Sequence, residues 1–288
     1  MLVSVIIPCF RARATIARAV SSLIAQTFTD WEAVVVTDDG TDYAAALGDF
    51  GIADARLNFV STGRVRSGCH NARNVGLAAA RGDYIATLDA DDEFAPDRLA
   101  LLVPIAREYG AAVDNVAVPS PTTGTQISLV LGETPPARLD AGNFFVPNLP
   151  LFPLARRDHA LPRLAGVEYA EDVVANLRLI DRLGTLPVEP HALYRYHLGT
   201  TSMCGSNDAV ARFELAYGEL LERIEHGDGL DVSPMTRHAA LHGFLRKREF
   251  NRAFGRAQRA DPSLDFASFA AAHASRVAVT QDCPAAVL

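Results

Sequence analysis

The chain has 288 residues, 49% of them hydrophobic and 21% charged. At that size it can bury about three quarters of its unfolded surface, so it needs no metal or disulfide staple and is not a disordered chain. With 27 basic against 34 acidic residues the net charge is −7, and without a long basic run a protein that wraps nucleic acid is excluded. The length predicts one or two domains. The apolar run at residues 3–7, closed by Pro8, is too short for a signal-peptide core, and nothing approaches the roughly 18 apolar residues of a membrane span. Cys9, Cys69, Cys204 and Cys283 show no Cys-x-x-Cys spacing, which argues for reduced thiols in a cytoplasmic protein rather than a zinc cage.

Residues 2–8 form a continuous apolar run, as in a strand covered on both faces. Residues 15–26 carry Ile16, Ala19, Val20, Leu23 and Ile24 at helical period. A second strand over 31–37 stops at Asp38-Asp39-Gly40, and a short third is expected at 57–60. A helix over 71–80 leads to a strand over 84–88 that ends in Asp89-Ala90-Asp91-Asp92. Pro96 suits the first turn of the next helix, which runs to about Tyr109. A further strand follows at 113–118. Strands separated by helices imply a parallel sheet with right-handed crossovers.

Residues 119–153 are proline-rich and read as an irregular sheet or a flap, with a strand at 127–131. A helix over 171–183 and a strand over 192–198 come next. From about 207 to 275 the pattern is helical, over 211–224, 235–246 and 250–258, with Asp261-Pro262 as a break. The end, 277–288, reads as a frayed tail.

In an open α/β sheet, ligands bind at the carboxyl ends of the strands. Two acidic clusters fall there, Asp38-Asp39 and Asp89-Asp91-Asp92. Carboxylates packed so densely repel one another unless a cation sits among them, and a divalent ion could also bridge to phosphates. Either cluster alone has a plain structural explanation, a turn or a helix cap.

Val3-Ser4-Val5-Ile6-Ile7-Pro8-Cys9-Phe10, Val36-Thr37-Asp38-Asp39-Gly40-Thr41-Asp42, Ala72-Arg73-Asn74-Val75-Gly76, Arg81-Gly82-Asp83-Tyr84-Ile85 and Leu88-Asp89-Ala90-Asp91-Asp92 follow one another in an order and spacing that resemble family 2 glycosyltransferases. The resemblance is specific over 2–110, fair to about 200 and absent beyond. It implies a GT-A fold: a Rossmann-like α/β architecture with a mixed, mostly parallel sheet flanked by helices. It also implies a nucleotide-binding half at 1–115 and an acceptor half at 116–205 within one domain, 1–205. Residues 206–288 are then a helical C-terminal extension.

Carried over by position, the resemblance places Pro8, with Cys9 and Phe10 after it, against a uracil or other base. Asp38, in preference to Asp39, accepts a hydrogen bond from the base. Arg73 reaches the base or the diphosphate. In Asp89-Ala90-Asp91, Asp91 is the direct metal ligand and Asp89 acts on the ribose or through water. The metal is Mn²⁺ or Mg²⁺, and it neutralises the departing nucleoside diphosphate. Arg11 stands where the family usually has Asn.

Inverting members place an acidic pair at a helix start in the acceptor half. Glu171-Asp172 matches, with Asp172 the expected base and Glu171 the alternative. His197 resembles a late-strand histidine that some relatives use at the metal or diphosphate, and Thr200, Thr201 and Ser202 after it are weaker phosphate candidates. The donor is then a nucleotide diphosphate sugar, a UDP-sugar by resemblance, and the acceptor a carbohydrate or lipid-linked sugar in polysaccharide or glycolipid synthesis.

Two other readings stand beside this one. A sugar nucleotidyltransferase lacks support because no glycine-rich basic loop follows the first strand. A degenerate, non-catalytic glycosyltransferase is opposed by the intact Asp89, Asp91 and Asp172. The C-terminal basic stretch, Arg246, Lys247, Arg248, Arg252 and Arg256 with Phe244, Phe250 and Phe254 nearby, reads as a helix pair packed on the catalytic domain. Its alternative is peripheral contact with the inner face of an anionic membrane.

Overall fold

A computed structural model describes residues 1–119, 126–143, 151–167, 169–197, 208–227, 229–264 and 266–277. The first half alternates strand and helix: β1 (Val3–Cys9), α1 (Ile16–Ile24), β2 (Trp31–Thr37), α2 (Tyr43–Gly48), β3 (Leu57–Ser61), α3 (Cys69–Ala79) and β4 (Tyr84–Thr87). After a turn come β5 (Glu93–Phe94), α4 (Arg98–Tyr109) and β6 (Ala111–Pro119). The described remainder holds β7 (Gln126–Leu129), β8 (Arg138–Leu139), β9 (Leu154–Arg156), α5 (Glu171–Leu183), β10 (Leu186–Arg195), α6 (Ala209–Glu225), α7 (Pro234–Ala260) and α8 (Phe266–Val277).

The ten strands form one sheet in the order β3-β2-β1-β4-β9-β6-β10-β5, with β7 on β6 and β8 on β10. β3, β2, β1 and β4 run parallel, as do β6 and β10. β9 lies antiparallel between β4 and β6 and joins the two parallel groups. The expected mixed, mostly parallel α/β sheet is therefore present, although the purely parallel pattern of the first strands is not the whole sheet. The two-residue strands β5 and β8, and the three-residue β9, are too short to leave a period in the sequence.

Two glycines explain why helix α3 and its following turn lie so close to β1. A Cβ on Gly76 would sit 2.4 Å from the Ile6 Cγ2, and one on Gly82 would sit 2.6 Å from the Ser4 amide nitrogen. Either would push the layers apart. Ser4 and Glu32 are buried beneath this turn, and both accept from backbone amides there, Gly82 to Ser4 Oγ and Arg81 to Glu32.

The C-terminal helices pack onto the core of the sheet. Leu220, Leu221, Ile224, Leu230, Ala240 and Phe244 belong to the same buried cluster as Val5, Leu88 and Val174. By packing, residues beyond 206 continue the core of the first 205. α7 is one helix of 27 residues where two were expected. Phe244 and Phe254 are buried rather than offered to a surface, and Arg248 and Arg252 pair with Glu214 of α6. The packed-pair reading of this stretch matches the structure. Among the described residues no helix is long and apolar enough to cross a membrane. The 278–288 tail, Thr200, Thr201, Ser202, Cys204 and Cys283 lie outside the described residues.

Candidate active site

The carboxyl ends of β1, β2 and β4 meet on one edge of the sheet. At the end of β1, Pro8 is half-buried and Phe10 exposed, whereas Cys9 is 1% exposed and its thiol turns into the core toward the Ile7 carbonyl. Burial, with Asp39 nearby, raises the Cys9 pKa well above its ordinary value. Of the three expected nucleotide-facing residues, Cys9 alone has its side chain turned into the core. Arg11 follows with φ at 54°, and its amide donates to Asp39 at 2.6 Å.

The Asp38–Asp39 pair divides its labour differently from expectation. Asp38 is 3% exposed. Its carboxylate accepts from the Thr62 hydroxyl at 2.8 Å, the Ser67 amide at 3.0 Å, the Ser67 hydroxyl and the Gly68 amide at 3.1 Å. Those donors tie Asp38 to the loop before α3, with only the Gly68 amide on Oδ2. Asp39 is half-buried and accepts from the Arg11 and Thr41 amides, Thr37 and the Tyr43 hydroxyl.

Arg73 lies on the first turns of α3. Its guanidinium is 7% exposed and is held between Asp89 and Glu171, with the Cys69 sulfur 2.7 Å from Nη1. It joins the acidic turn after β4 to the start of α5 rather than reaching outward. Removing one partner of a buried pair of this kind typically costs about 3–5 kcal/mol, because the other charge is left uncompensated.

In the acidic turn, Ala90 is buried and Asp89 and Asp91 are half-buried. Burial, followed by repulsion from Asp89, pushes the Asp91 pKa up to about 6. Arg18 of α1 donates to the Asp91 backbone carbonyl, leaving the carboxylate itself free of that contact. Asp92 is fully buried and accepts from the Tyr194 hydroxyl and the His197 amide, both at 2.7 Å. The turn is thereby tied to the end of β10. His197 stands beside it, its Nε2 3.3 Å from Glu93. Burial, then the charge of Arg18, lowers the His197 pKa.

Asp89, Asp91 and His197 do not form a closed ligand set: among the described residues no group of three or more His, Cys, Asp or Glu is arranged to hold a metal ion. Two carboxylates with one side open fit the way Mg²⁺ is bound when substrate phosphates and water complete its shell.

At the start of α5, Ala170 takes a left-handed conformation, φ 58°, a costly backbone for a residue with a Cβ and one that clusters at functional sites. It turns Glu171 and Asp172 toward the sheet edge. Burial acts to raise the Glu171 pKa, but Arg73 and Arg163 outweigh it and hold the carboxyl below its ordinary value. Arg163 Nε approaches within 3.2 Å without the alignment of a hydrogen bond. Asp172 has no ion-pair partner among the described residues, and burial, then the charge of Glu171, raises its pKa. The neighbours therefore differ: Glu171 is a clamped anion and Asp172 an unclamped carboxyl with raised basicity.

A cavity of about 170 Å³ opens beside them, lined by Arg73, Asp89, Glu171 and Asp172 at one side. The structure thus gathers Arg73, Asp89, Glu171 and Asp172, and places Pro8, Phe10 and Asp39 along the same edge. Arg163, Asp92 and Tyr194 were missed. Asp92 was visible as the last acid of its cluster. Arg163 and Tyr194 are distant in sequence from their partners and had no local signal.

Comparison with known proteins agrees with this geometry. The family model "Glycosyl transferase family 2" matches residues 4–139. The succinoglycan biosynthesis protein ExoO of Rhizobium meliloti (strain 1021) is 30% identical over 269 residues, covering 86% of this chain and 75% of that protein. S. aureus TarS 1-349 in complex with UDP-GlcNAc superposes with a TM-score of 0.62 at 19% identity, over 86% of this chain and 72% of that one. The mannosyltransferase PcManGT from Pyrobaculum calidifontis, in complex with GDP-Man and Mn²⁺, gives 0.56 at 19% identity, over 96% and 79%. With a sheet edge built from the matched segments and a relative aligned along most of its length, this chain belongs to glycosyl transferase family 2.

Proposed function

We propose that the protein transfers a sugar, with inversion, from a nucleotide diphosphate donor to a hydroxyl of a carbohydrate or lipid-linked acceptor in polysaccharide synthesis. The observation that carries this is Asp172. It is a carboxyl of raised pKa, free of ion pairs among the described residues, on the cavity that also holds Asp89. A general base needs that combination of access and basicity. Glu171, held by Arg73 and Arg163, instead orients the site.

The donor side is read from the sheet edge. Pro8 and Phe10 flank the base, and Asp39 rather than Asp38 is the acid with room to meet it. UDP-GlcNAc in the TarS complex supports a UDP-sugar, and the name of ExoO supports a role in exopolysaccharide assembly. Asp91, with Asp89, would hold Mn²⁺ or Mg²⁺, in keeping with the Mn²⁺ of PcManGT. The ion supplies charge neutralisation for the departing diphosphate. His197 stands by the same turn through Asp92. Asp172 takes the proton of the acceptor hydroxyl as its oxygen bonds to the anomeric carbon and the glycosyl–phosphate bond breaks, the electron pair leaving with the nucleoside diphosphate. A single displacement of this kind inverts the centre.

Asp172→Asn tests the assignment: it keeps shape while removing basicity. Turnover is expected to fall about a hundred-fold with donor KM unchanged. Proton NMR of the wild-type product should show an anomeric coupling opposite to that of the donor. Retained configuration, or an Asp172→Asn enzyme as active as wild type, overturns it.

A further inference from the structure

One buried hydroxyl bonds both ends of the acidic turn after β4. Tyr194, on β10, accepts from the Asp89 amide at 3.2 Å and donates to Asp92 Oδ2 at 2.7 Å. The Asp92 amide closes the same four residues by donating to the Asp89 carbonyl at 3.0 Å. The other Asp92 oxygen, Oδ1, takes the His197 amide. A buried phenol needs a partner for its hydroxyl, and one is enough. Here the single donor and a lone pair both go to one turn, with Asp89 and Asp91 inside its span. The ring that carries the hydroxyl is held on several sides. Phe152 stacks on it with centroids 3.9 Å apart and planes 5° apart, and Phe94 meets it edge-on at 5.5 Å. The Arg98 guanidinium lies 5.3 Å from the ring centre and is itself paired with the buried Asp114. The hydroxyl is therefore a fixed point against which the turn is set.

We propose that Tyr194 is a positioning residue for the divalent cation: its hydroxyl sets the placement of Asp89 and Asp91, and with it the affinity of the chain for the ion. The proposal rests on the reading of Asp89 and Asp91 as the cation's ligands. The hydroxyl bonds the Asp89 amide and not its carboxylate, so the effect passes through the backbone of the turn. A small, hard cation tolerates little error in where its oxygen ligands stand. Groups that orient ligands without touching the ion accordingly govern affinity. A tyrosine that only filled the core would behave otherwise. Losing its hydroxyl would cost stability and leave the affinity for the ion alone.

The test is Tyr194→Phe in the full chain, which keeps the ring in its stack and removes the hydroxyl. Mn²⁺ binding is read by electron paramagnetic resonance with UDP present, and UDP binding without metal by calorimetry. The variant is expected to bind Mn²⁺ about ten-fold more weakly or worse, with metal-free UDP binding within about two-fold of wild type. In turnover, the KM for Mn²⁺ should rise by a larger factor than kcat at saturating Mn²⁺ falls. Phe94→Leu is the packing control, since it loosens the same ring and leaves the hydroxyl. It should lower the melting temperature with Mn²⁺ affinity within about two-fold of wild type. A Tyr194→Phe chain with wild-type Mn²⁺ affinity overturns the proposal. Equal loss of Mn²⁺ and metal-free UDP binding does the same, as does equal loss of Mn²⁺ affinity in both variants. A Tyr194→Phe chain that fails to fold counts with these, because each makes Tyr194 a core residue only. Failure of the underlying reading shows elsewhere, in the wild type. A wild-type chain that binds no Mn²⁺ beside UDP removes Asp89 and Asp91 as ligands, and this proposal with them.

Discussion

The edge formed by β1, β2 and β4 and the edge formed by α5 with the last three helices meet at Arg73, yet they are built on opposite principles. On the first, each functional group sits at the end of its own strand in a short turn: Asp39 takes the Thr41 amide, and Asp91 lies two residues from Asp89. On the second, the clamp is drawn from far along the chain: Glu171 is 98 residues from Arg73. The difference teaches that the strand-end groups follow from the sheet topology, whereas the α5 side is assembled by long-range packing.

That contrast can be broken in several ways. The largest effect is expected from Asp91→Ala. Loss of the Asp91 carboxylate should abolish transfer, by about a thousand-fold or more, and remove metal-dependent diphosphate binding in calorimetry while the melting temperature holds. Near wild-type transfer in the presence of a chelator would remove the metal from this site.

Gly82→Ala should damage the donor edge through packing alone. A Cβ there lies 2.6 Å from the Ser4 nitrogen and 2.7 Å from the Leu2 carbonyl oxygen, a backbone clash that should cost roughly 3 kcal/mol in denaturant unfolding. A loss under 0.5 kcal/mol would show that the α3–β4 turn can move.

Glu171→Gln and Asp172→Asn should separate clamp from base. Asp172→Asn lowers turnover about a hundred-fold, roughly 2.7 kcal/mol, at unchanged stability. Glu171→Gln leaves Arg73 short of a partner and should lower the melting temperature as well as activity. Because Asp172 must be deprotonated to act and its pKa is raised, turnover should decline on the acid side at a pH above the ordinary carboxylate range. A profile flat down to pH 4 would exclude it as the base.

The smallest effect concerns Glu32, 2% exposed beneath the donor edge. Burial acts to raise its pKa, but hydrogen bonds from Ser4 and Arg81 lower it overall. A depressed folded pKa gives stability that is present above the unfolded value of about 4.5 and lost as pH falls through the folded one. Denaturant titration from pH 6 to 3 should show this slope, and Glu32→Gln should flatten it by about 1 kcal/mol.

The strands of residues 1–119 other than β5, and their acidic ends, were legible from sequence, since period, turn chemistry and the rule of carboxyl-terminal ligand sites are all local. The Glu171-Asp172 helix start was legible for the same reason. Beyond that, tertiary structure decided. Asp38 reads like Asp39 in the chain, but only the fold brings Thr62, Ser67 and Gly68 around one of them. Arg73 has the composition of a phosphate ligand, and only the meeting of α3 with α5 makes it a clamp. The basic, phenylalanine-bearing helices fit a membrane surface or a packed wall equally well by pattern, because amphipathicity records that one face is covered and says nothing of what covers it. The core shared by Phe244, Leu221 and Val174 shows what covers these side chains, and burying them there removes their apolar area from water.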